Sequence, residues 1–487
     1  MKASSTYARG REVLRGRDFR FLLGARLVSQ LGDGVFQAVL VASVVFSPEK
    51  QSTTVGFAKA IAILALPYSA LGPFAGVFID RWRRRSILVL TPILRAAAAL
   101  LVLPGAGMAL PFYAGALIVL SANRFFLTTA GAVTPRVVPG TELLVANALG
   151  SVGGTVATLI GVVIGGQLAD ELAFPPVVLL TCGVWVVTSA LAAAMRADLG
   201  PSARVPRPSL RRELVRVAGE LREGAHRLVR TPRALAPIAS IGAGQFVQGL
   251  MLVVSLVVFR DRFREGVGSF AWLVGAGGVG VGLGLLTVAP LEARLGRRQT
   301  FTVAFIASGL PLVAAAAAIN RISVLVASFA LGLGFALMKV PADTMAQESI
   351  PDAYRGRVFA IYDVSNNLAR VLSAALAILL LRTLPASAVV AGAGVALILW
   401  VPLIRWWLAR AASLTVRMYA GGRGDEVPRA VQLGGVEEPV QVERSWHEDR
   451  AGTRLLCFRL RLGNGTRIEI SRGEDDDQWR LDRELPN

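Results

Sequence analysis

The chain of 487 residues is poor in cysteine, histidine and charged residues, and each scarcity argues against a class of protein. Two cysteines cannot form a disulfide framework, and two histidines with no Cys-x-x-Cys or His-Glu-x-x-His spacing argue against a built-in zinc site. No G-x-x-x-x-G-K-S/T string is present, so we expect neither this route to ATP hydrolysis nor a cofactor. Apolar residues make up 54% of the chain and charged residues only 17%. This composition is typical of a membrane protein and not of a soluble enzyme.

Apolar runs of roughly 20 residues, the length needed to cross a bilayer, recur along most of the chain. We therefore predict an all-α membrane protein with twelve transmembrane helices in two pseudo-symmetric six-helix bundles, plus a small β-rich tail. The predicted spans are Phe19–Ser47, Thr54–Ile79, Ser86–Leu103, Leu110–Ala132, Leu144–Leu168 and Pro176–Met195, then Leu235–Phe259, Phe270–Leu291, Thr300–Ile319, Ile322–Asp343, Val358–Leu381 and Ser387–Leu408.

Arginines between the apolar runs set the expected orientation in the membrane. The net charge of +19 is concentrated in short loops, which indicates a membrane surface beside these cations and no nucleic acid. Because arginine-rich loops stay in the cytoplasm, the loops before the first span, after the second and after the eighth are assigned there. We expect a multi-pass protein of the bacterial inner membrane with both termini cytoplasmic. Arg260, Arg262 and Arg264 depart from this rule, since they fall in a predicted outer loop.

Polar segments divide the chain into domains. The predicted domains are a cytoplasmic N-terminus (1–18), a six-helix bundle (19–195), a basic cytoplasmic linker (196–233), a second six-helix bundle (234–408), a second linker (409–436) and a small β-rich cytoplasmic domain (437–487). Within the basic linker, Leu210–Val229 is predicted to be an amphipathic surface helix.

The tail alternates apolar and polar residues, as strands do. This alternation predicts strands at Val440–Trp446, Thr453–Leu462 and Thr466–Ile470, and Asn464-Gly465 predicts a hairpin turn between the last two. About 50 residues form only a small core, so we expect the tail to lean on the membrane domain, to dimerise or to be poorly ordered.

The two halves of the membrane domain repeat each other. Gly32-Asp33 of the first span and Gly244-Gln245 of the seventh are 212 residues apart, as are Ser43 and Ser255. A parallel duplication explains this spacing, and it is typical of transporters that move two bundles about a site at the bilayer midplane.

A charged motif closes the second predicted span. The string Gly76-Val-Phe-Ile-Asp80-Arg81-Trp-Arg-Arg84-Arg85 resembles the G-x-x-x-D-R-x-G-R-R loop signature of the major facilitator superfamily, with an arginine in place of the internal glycine. The resemblance covers about residues 15 to 408. It implies a gating motif formed by Gly76, Asp80, Arg81, Arg84 and Arg85.

The same resemblance implies a contact for the acid of this motif. Asp80 would meet the start of the eleventh span near Arg357 and latch the cytoplasmic side. A carboxylate beside a helix N-terminus is stabilised there by about 0.3 to 1 kcal/mol. The copy in the second half, Ala293 to Arg298, keeps the glycine and lacks the acid.

Further strings resemble one branch of this superfamily. Arg17-Asp-Phe-Arg20 and Arg355-Gly-Arg-Val-Phe359 are similar to the drug and siderophore exporters, which include macrolide and enterobactin exporters, and this similarity implies proton antiport. The string from Gly161 to Gly166 resembles the antiporter signature G-P-x-x-G-G, with valine in place of proline. Close helix packing explains the same glycines more simply.

Polar residues inside the apolar runs are the candidate functional residues, because charges within a bilayer are costly. Arg26, Gln30, Asp33 and Gln37 are spaced by four, three and four residues, so they share one helix face that should look into a polar cavity. We predict that Asp33 binds the coupling proton. The alternative is a structural ion pair between Asp33 and an arginine. For Arg124, the resemblance implies a role in proton coupling.

Other spans carry polar residues that either line the same cavity or form structural pairs. Lys339 and Asp343 are one turn apart, which makes them a natural local pair. Asp363, Asn366 and Arg370 share a face of the eleventh span. The predicted cavity residues are Arg26, Gln30, Gln37, Arg95, Gln245, Gln248, Lys339, Asp363, Asn366 and Arg370.

These features predict a secondary transporter that exports an amphiphilic small molecule, such as a drug or siderophore, in exchange for protons. Its expected partners are the substrate, protons and membrane lipids, and we expect a monomer. A lipid or lysolipid flippase of the same fold is a second hypothesis. A non-transporting membrane sensor or scaffold that acts through its C-terminal domain is a third.

Overall fold

A computed structural model describes most of the chain, with long helices first and strands last. The described residues are 13–45, 82–103, 109–172, 174–197, 210–229, 231–350, 352–412, 414–420, 426–433, 436–450, 453–463, 465–473 and 479–485. The helices are α1 (Arg17–Val45), α2 (Arg84–Leu100), α3 (Ala109–Val137), α4 (Leu143–Glu171), α5 (Phe174–Ala193), α6 (Leu210–Val229), α7 (Pro232–Val257), α8 (Val267–Leu295), α9 (Arg297–Ala317), α10 (Arg321–Ser349), α11 (Asp352–Leu380) and α12 (Ala386–Ala412).

Ten of the described helices, namely α1, α3 to α5 and α7 to α12, are long and apolar enough to cross a membrane. Many of their large apolar side chains, such as Leu110, Leu286 and Leu399, are exposed on the protein surface, as expected where lipid is the solvent. Helix α2 corresponds to the predicted third span. It has 17 residues and is shorter than the ten helices that are long enough to cross a membrane. The predicted second span, Thr54–Ile79, lies outside the described residues. The chain is thus a multi-pass, mostly helical membrane protein.

Glycines let α1 pack closely on α4. A Cβ atom added at Gly161 would collide with the backbone oxygen of Leu31, and one added at Gly34 would collide with the backbone oxygen of Thr158. Gly165 likewise faces the α1 backbone, because a Cβ atom added there would lie 2.6 Å from the Cα of Val35. The packing role predicted for Gly161 and Gly165 is therefore confirmed, as the small-residue pattern of membrane helices requires.

The two sets of spanning helices meet along α4 and α8. A Cβ atom at Gly166 of α4 would lie 2.7 Å from the Cβ of Ala271 of α8, and Gly275 of α8 approaches Val163. These contacts involve the C-terminal half of α4 and the N-terminal half of α8. Helices α1 to α5 are called the first bundle, and α7 to α12 are called the second bundle.

Helix α6 lies against the N-terminal end of α11. Glu223 of α6 accepts a 2.7 Å hydrogen bond from Arg357 of α11, and Gly224 abuts the backbone of the same arginine. Leu228 is buried in the apolar core of the second bundle. The helix has the bounds predicted from its amphipathic pattern, and it defines the α6 side of the molecule.

The last part of the chain is a six-stranded antiparallel sheet in which every strand pairs with its neighbours in sequence. Its core face carries Val431, Phe458, Leu460, Ile468 and Ile470, all nearly fully buried. The strands are β1 (Leu414–Ala420), β2 (Glu426–Leu433), β3 (Val436–Arg450), β4 (Thr453–Leu462), β5 (Arg467–Gly473) and β6 (Arg480–Leu485).

The strands extend beyond the predicted ones. The segment predicted as a linker, 409–436, holds the end of α12 and all of β1 and β2. Its glycines indicated a linker, but Val416, Met418 and Val431 fill the apolar core of the sheet and give these strands a buried face. At the predicted turn, Gly465 has a φ of 89° and donates to the carbonyl oxygen of Leu462.

Candidate functional site

Asp33 and Arg95 form an ion pair inside the first bundle. The exposed fractions of the two residues are 5% and 0%, so the pair is shielded from solvent. Arg95 also donates a 2.8 Å hydrogen bond to the hydroxyl of Ser29, and its guanidinium lies 4.2 Å from the centre of the Trp185 ring. The guanidinium is therefore held by a carboxylate, a hydroxyl and an aromatic face together.

One oxygen of Asp33 is left over by these contacts. Its Oδ1 faces Arg95, whereas Oδ2 is buried and has no hydrogen-bond partner among the described residues. A buried carboxylate oxygen without a donor is unfavourable while the group is charged, and protonation removes that charge. Of the alternatives left open by the sequence, the structural pair with an arginine is present, with Arg95 as the partner.

A second charged group lies near the end of α10 on the α6 side. Lys339 donates a 2.5 Å hydrogen bond to Asp343, one helical turn further on, which confirms the predicted local pair. Lys339 also lies 3.5 Å from the hydroxyl of Tyr362 and 5.4 Å from the centre of its ring. The same tyrosine interacts with Asp343 and Asn366. Helices α10 and α11 are thus joined by polar contacts on their shared face.

Arg124 of the first bundle and Asp363 of the second bundle interact electrostatically. Asp363 of α11 lies within electrostatic range of Arg124 of α3, and also of Lys339 and Asp343. Asp363 is exposed, and Arg124 is half-buried with an Nε atom that has no hydrogen-bond partner among the described residues. Sequence periodicity placed Asp363 on a polar face, whereas Arg124 was a candidate only through the family resemblance. We name Arg124, Lys339, Asp343, Tyr362 and Asp363 the inter-bundle cluster.

Two glutamines contact arginines of the predicted cavity. In the second bundle, Arg370 of α11 donates a 2.8 Å hydrogen bond to the side-chain oxygen of Gln245 of α7. In the first bundle, Arg26 lies 3.4 Å from the side-chain oxygen of Gln30. The remaining predicted residues of the cavity, Gln37, Gln248 and Asn366, are half-buried.

Glycines of α4 make room for the polar face of α1. A Cβ atom at Gly150 would lie 2.8 Å from a guanidinium nitrogen of Arg26, and one at Gly154 would collide with the side chain of Gln30. These two glycines therefore accommodate polar side chains, while Gly161 holds the helix backbones together further along α4.

The gating motif is described only in its last part. Arg85 donates a 2.7 Å hydrogen bond to the carbonyl oxygen of Ala193 and ties the start of α2 to the end of α5. Arg84 is half-buried beside it. Gly76, Asp80 and Arg81 lie outside the described residues. Arg357, the expected neighbour of Asp80, pairs with Glu223 of α6.

On the side opposite α6, Asp170 joins the two bundles. At the end of α4, its Oδ1 accepts a 3.0 Å hydrogen bond from the backbone N–H of Val267, and its Oδ2 accepts a 2.8 Å bond from that of Gly268. Both donors belong to the first turn of α8, where backbone N–H groups lack partners within the helix. This contact was missed in the sequence. Its only signal is an acid at the end of one apolar run and Gly266-Val-Gly268 at the start of a later one.

The arrangement can bind and move a polar solute but offers no reaction centre among the residues that the structure describes. Within that part of the chain, no group of three or more histidine, cysteine, aspartate or glutamate side chains could hold a metal ion. Two bundles of spanning helices that carry charged side chains within their spans are typical of a membrane transporter.

Comparison with known proteins gives the family. The sequence profile of the Major Facilitator Superfamily matches residues 22–266 and 248–423, so the chain belongs to this superfamily and is a transporter, not an enzyme. An uncharacterised MFS-type transporter of Mycobacterium tuberculosis is 31% identical over 366 residues, which cover 71% of this chain and 81% of that protein. The uncharacterised MFS-type transporter YfiS of Bacillus subtilis is 21% identical over 365 residues, covering 73% and 84%.

Solved structures show the same fold at low identity. A POT family transporter in complex with 5-aminolevulinic acid has a TM-score of 0.66 and 13% identity, covering 81% of this chain and 96% of that chain. The nucleoside transporter NupG has a TM-score of 0.61 and 12% identity, covering 80% of this chain and 99% of that chain.

Proposed function

We propose that this transporter exports an amphiphilic small molecule in exchange for protons. It would sit in a bacterial inner membrane as a monomer with twelve spanning helices, with its termini and the β-sheet tail in the cytoplasm. The two bundles would alternate between inward-open and outward-open states around the inter-bundle cluster. The resemblance of the sequence to drug and siderophore exporters supports the direction of transport.

The buried Asp33–Arg95 pair is the observation that carries the proposal. Asp33 Oδ2 has no hydrogen-bond partner among the described residues and lies inside a span next to a polar helix face, so a proton could bind and leave there. Protonation would neutralise the carboxylate and weaken its hold on Arg95. Because α1 and α2 lie in one bundle, this change would alter the packing of that bundle, and so couple the proton to the solute.

The remaining site residues have roles that follow from their positions. Arg124 would link the proton to the charged residues of the second bundle through Asp363. Gln30, Gln37, Gln245 and Gln248 would line the path with neutral hydrogen-bonding groups. The gating motif, of which Arg84 and Arg85 are described, would hold the α6 side closed in the outward-open state.

The test is uptake of candidate amphiphiles into inside-out vesicles under an imposed pH gradient. We expect uptake that follows the gradient in the wild type and is lost in Asp33→Asn. The matched control is Asp261→Asn, which makes the same chemical change at an exposed carboxylate paired with its neighbour Arg260. Gradient-driven uptake that survives Asp33→Asn would overturn the role of Asp33. Movement of labelled lipid without any gradient dependence would favour a flippase instead.

A further inference from the structure

The charged residues of the candidate site are unequal in number. Among the described residues discussed above, five cationic side chains stand against three carboxylates, so two positive charges are in excess. Charges within a bilayer require partners or water, and an excess of one sign attracts solutes of the other. The cations are Arg26, Arg95, Arg124, Lys339 and Arg370, and the carboxylates are Asp33, Asp343 and Asp363.

Two of the three carboxylates are already committed to a cation in the same bundle. Asp33 pairs with Arg95 in a fully buried contact, and Asp343 pairs with Lys339 one turn away. Only Asp363 of these three remains for the other cations, and it is exposed. The excess therefore falls on Arg26, Arg124 and Arg370, which are half-buried or exposed, and not on the fully buried pair.

Of these three cations, Arg124 has the strongest case for binding an anion. Its buried Nε has no hydrogen-bond partner among the described residues, and it interacts electrostatically with Asp363 of the second bundle. A guanidinium can hold a carboxylate or phosphate through two parallel hydrogen bonds, a geometry that a single long-range charge interaction does not use.

We propose that the transported amphiphile carries an anionic group, a carboxylate or a phosphate, and that Arg124 binds this group in competition with Asp363. The inference rests on the proposed transport of an amphiphile and adds the charge of the cargo. Binding of the anion would displace Asp363 from Arg124 and so change the attraction between the two bundles. The same step would then both select the cargo and signal that it is bound.

Three dyes with one fluorophore test this selectivity: dansylglycine is anionic, dansylamide is neutral and dansylcadaverine is cationic. Their binding is measured by fluorescence with the full-length protein in nanodiscs of a zwitterionic lipid. We expect dansylglycine to bind at least about tenfold more tightly than the other two. Arg124→Gln should weaken dansylglycine binding much more than dansylamide binding and so remove this difference, and Arg124→Lys should retain part of it. Asp363→Asn should tighten dansylglycine binding, since it removes the competitor.

The control is Arg382→Gln, which removes an exposed cation between α11 and α12. The inference is overturned if dansylglycine binds no more tightly than dansylamide, or if Arg124→Gln weakens both dyes equally. Proton-driven transport of an amphiphile with no preference for the anion would leave the proposed function standing and overturn only this inference. Selective anion binding without proton-driven transport would support this inference and overturn the proposed proton antiport.

An independent proposal concerns the opposite side of the molecule, where Asp170 holds the first turn of α8. The carboxylate belongs to the first bundle and both backbone donors belong to the second, so the two hydrogen bonds cross the boundary between bundles. A carboxylate at a helix N-terminus is favoured by the helix dipole as well as by the hydrogen bonds. The contact cannot persist if α4 and α8 part at this end.

We infer that Asp170 is a latch that closes the side opposite α6 and must release before that side opens. The close approach depends on glycine at the partner helix, because a Cβ atom at Gly268 would lie 2.5 Å from Asp170 Oδ2. A second pair on the same side, Glu265 with Arg321, lies within the second bundle and does not cross the boundary. Asp170 is thus the described acid that joins the bundles at this end.

Spin-label distances across the boundary test the latch. With Cys182 and Cys457 replaced by alanine, labels at Leu172 and Ile322, which are 46% and 74% exposed, report the separation of the bundles on this side. We expect Asp170→Ala to raise the population of a longer distance at least about threefold. Gly268→Ala should act in the same direction with the carboxylate retained. Glu171→Gln, at the neighbouring exposed carboxylate, should have no effect. Unchanged distances in Asp170→Ala would overturn the latch.

Discussion

Arg357, at the start of α11, donates a 2.7 Å hydrogen bond to Glu223, so the linker helix α6 is fastened to the second bundle. The contact is reinforced by stacking, because Arg227 of α6 and Arg357 itself both lie over the ring of Tyr354. These contacts hold the linker helix α6 against α11.

We predict that Glu223→Gln loosens α6 by about 0.2 to 1 kcal/mol, the range of partly exposed ion pairs. Hydrogen exchange of the amides in α6 should then rise a few-fold while that of α11 changes little. The control is Glu220→Gln, since Glu220 pairs at 3.8 Å with Arg216 of its own helix. Equal exchange in the two variants would contradict the docking role of Glu223.

The Asp33–Arg95 pair should show strong coupling in a double-mutant cycle. Removing one member leaves a buried charge, so Arg95→Met is expected to destabilise the protein by about 3 to 5 kcal/mol. The double variant Asp33→Leu, Arg95→Met should cost much less than the sum of the two single changes, because no charge remains. The measurement is reversible unfolding in mixed micelles. Additive effects would mean that the two side chains do not act as a pair.

Gly161 should be intolerant of even one added methyl group. Its Cβ would collide with the α1 backbone, so Gly161→Ala is expected to lower the free energy of unfolding by about 1 to 3 kcal/mol. Gly183 is the matched control, since its added Cβ would meet nothing within 4 Å. Gly183→Ala should be neutral or stabilise its helix by up to about 1 kcal/mol. Thermal unfolding of both variants in detergent compares their stabilities. Equal stability of the two variants would contradict the close contact between Gly161 and the α1 backbone.

The sheet should unfold on its own when its core is weakened. Leu460 is fully buried among the strands, so Leu460→Ala is expected to cost about 2 to 5 kcal/mol within the sheet. Limited trypsin digestion should then remove the tail while the spanning helices stay intact. Arg461→Ala, at the adjacent exposed position, should leave the tail resistant, as in the wild type. Loss of the spanning helices together with the tail would show that the two parts are coupled.

The sequence predicts features set by local spacing better than features set by distant contacts. The Lys339–Asp343 pair follows from one helical turn, and the bounds of α6 follow from an amphipathic pattern within one segment. By contrast, periodicity put Asp33 on a polar face but left its partner open among several arginines. The choice of Arg95 depends on how α1 and α2 pack, and on Ser29 and Trp185, which carry no signal in an apolar run.

Strands β1 and β2 and the contact of Asp170 were also not predicted from the sequence, because they too depend on distant contacts. Strands β1 and β2 are short and flanked by glycine, so their burial appears only when the later strands supply the rest of the core. Asp170 stands at the end of a span, where acids are common and need no explanation. Its partners are backbone N–H groups, which no residue type reveals.

The strand order of the tail has a consequence for how the chain is made. Every strand from β1 to β6 pairs only with its neighbours in sequence, so its contacts are local and its folding is expected to be fast. The tail also leaves the ribosome after the spanning helices have been synthesised. The sheet can therefore form hairpin by hairpin as it emerges, with no need for contacts from segments already committed to the membrane.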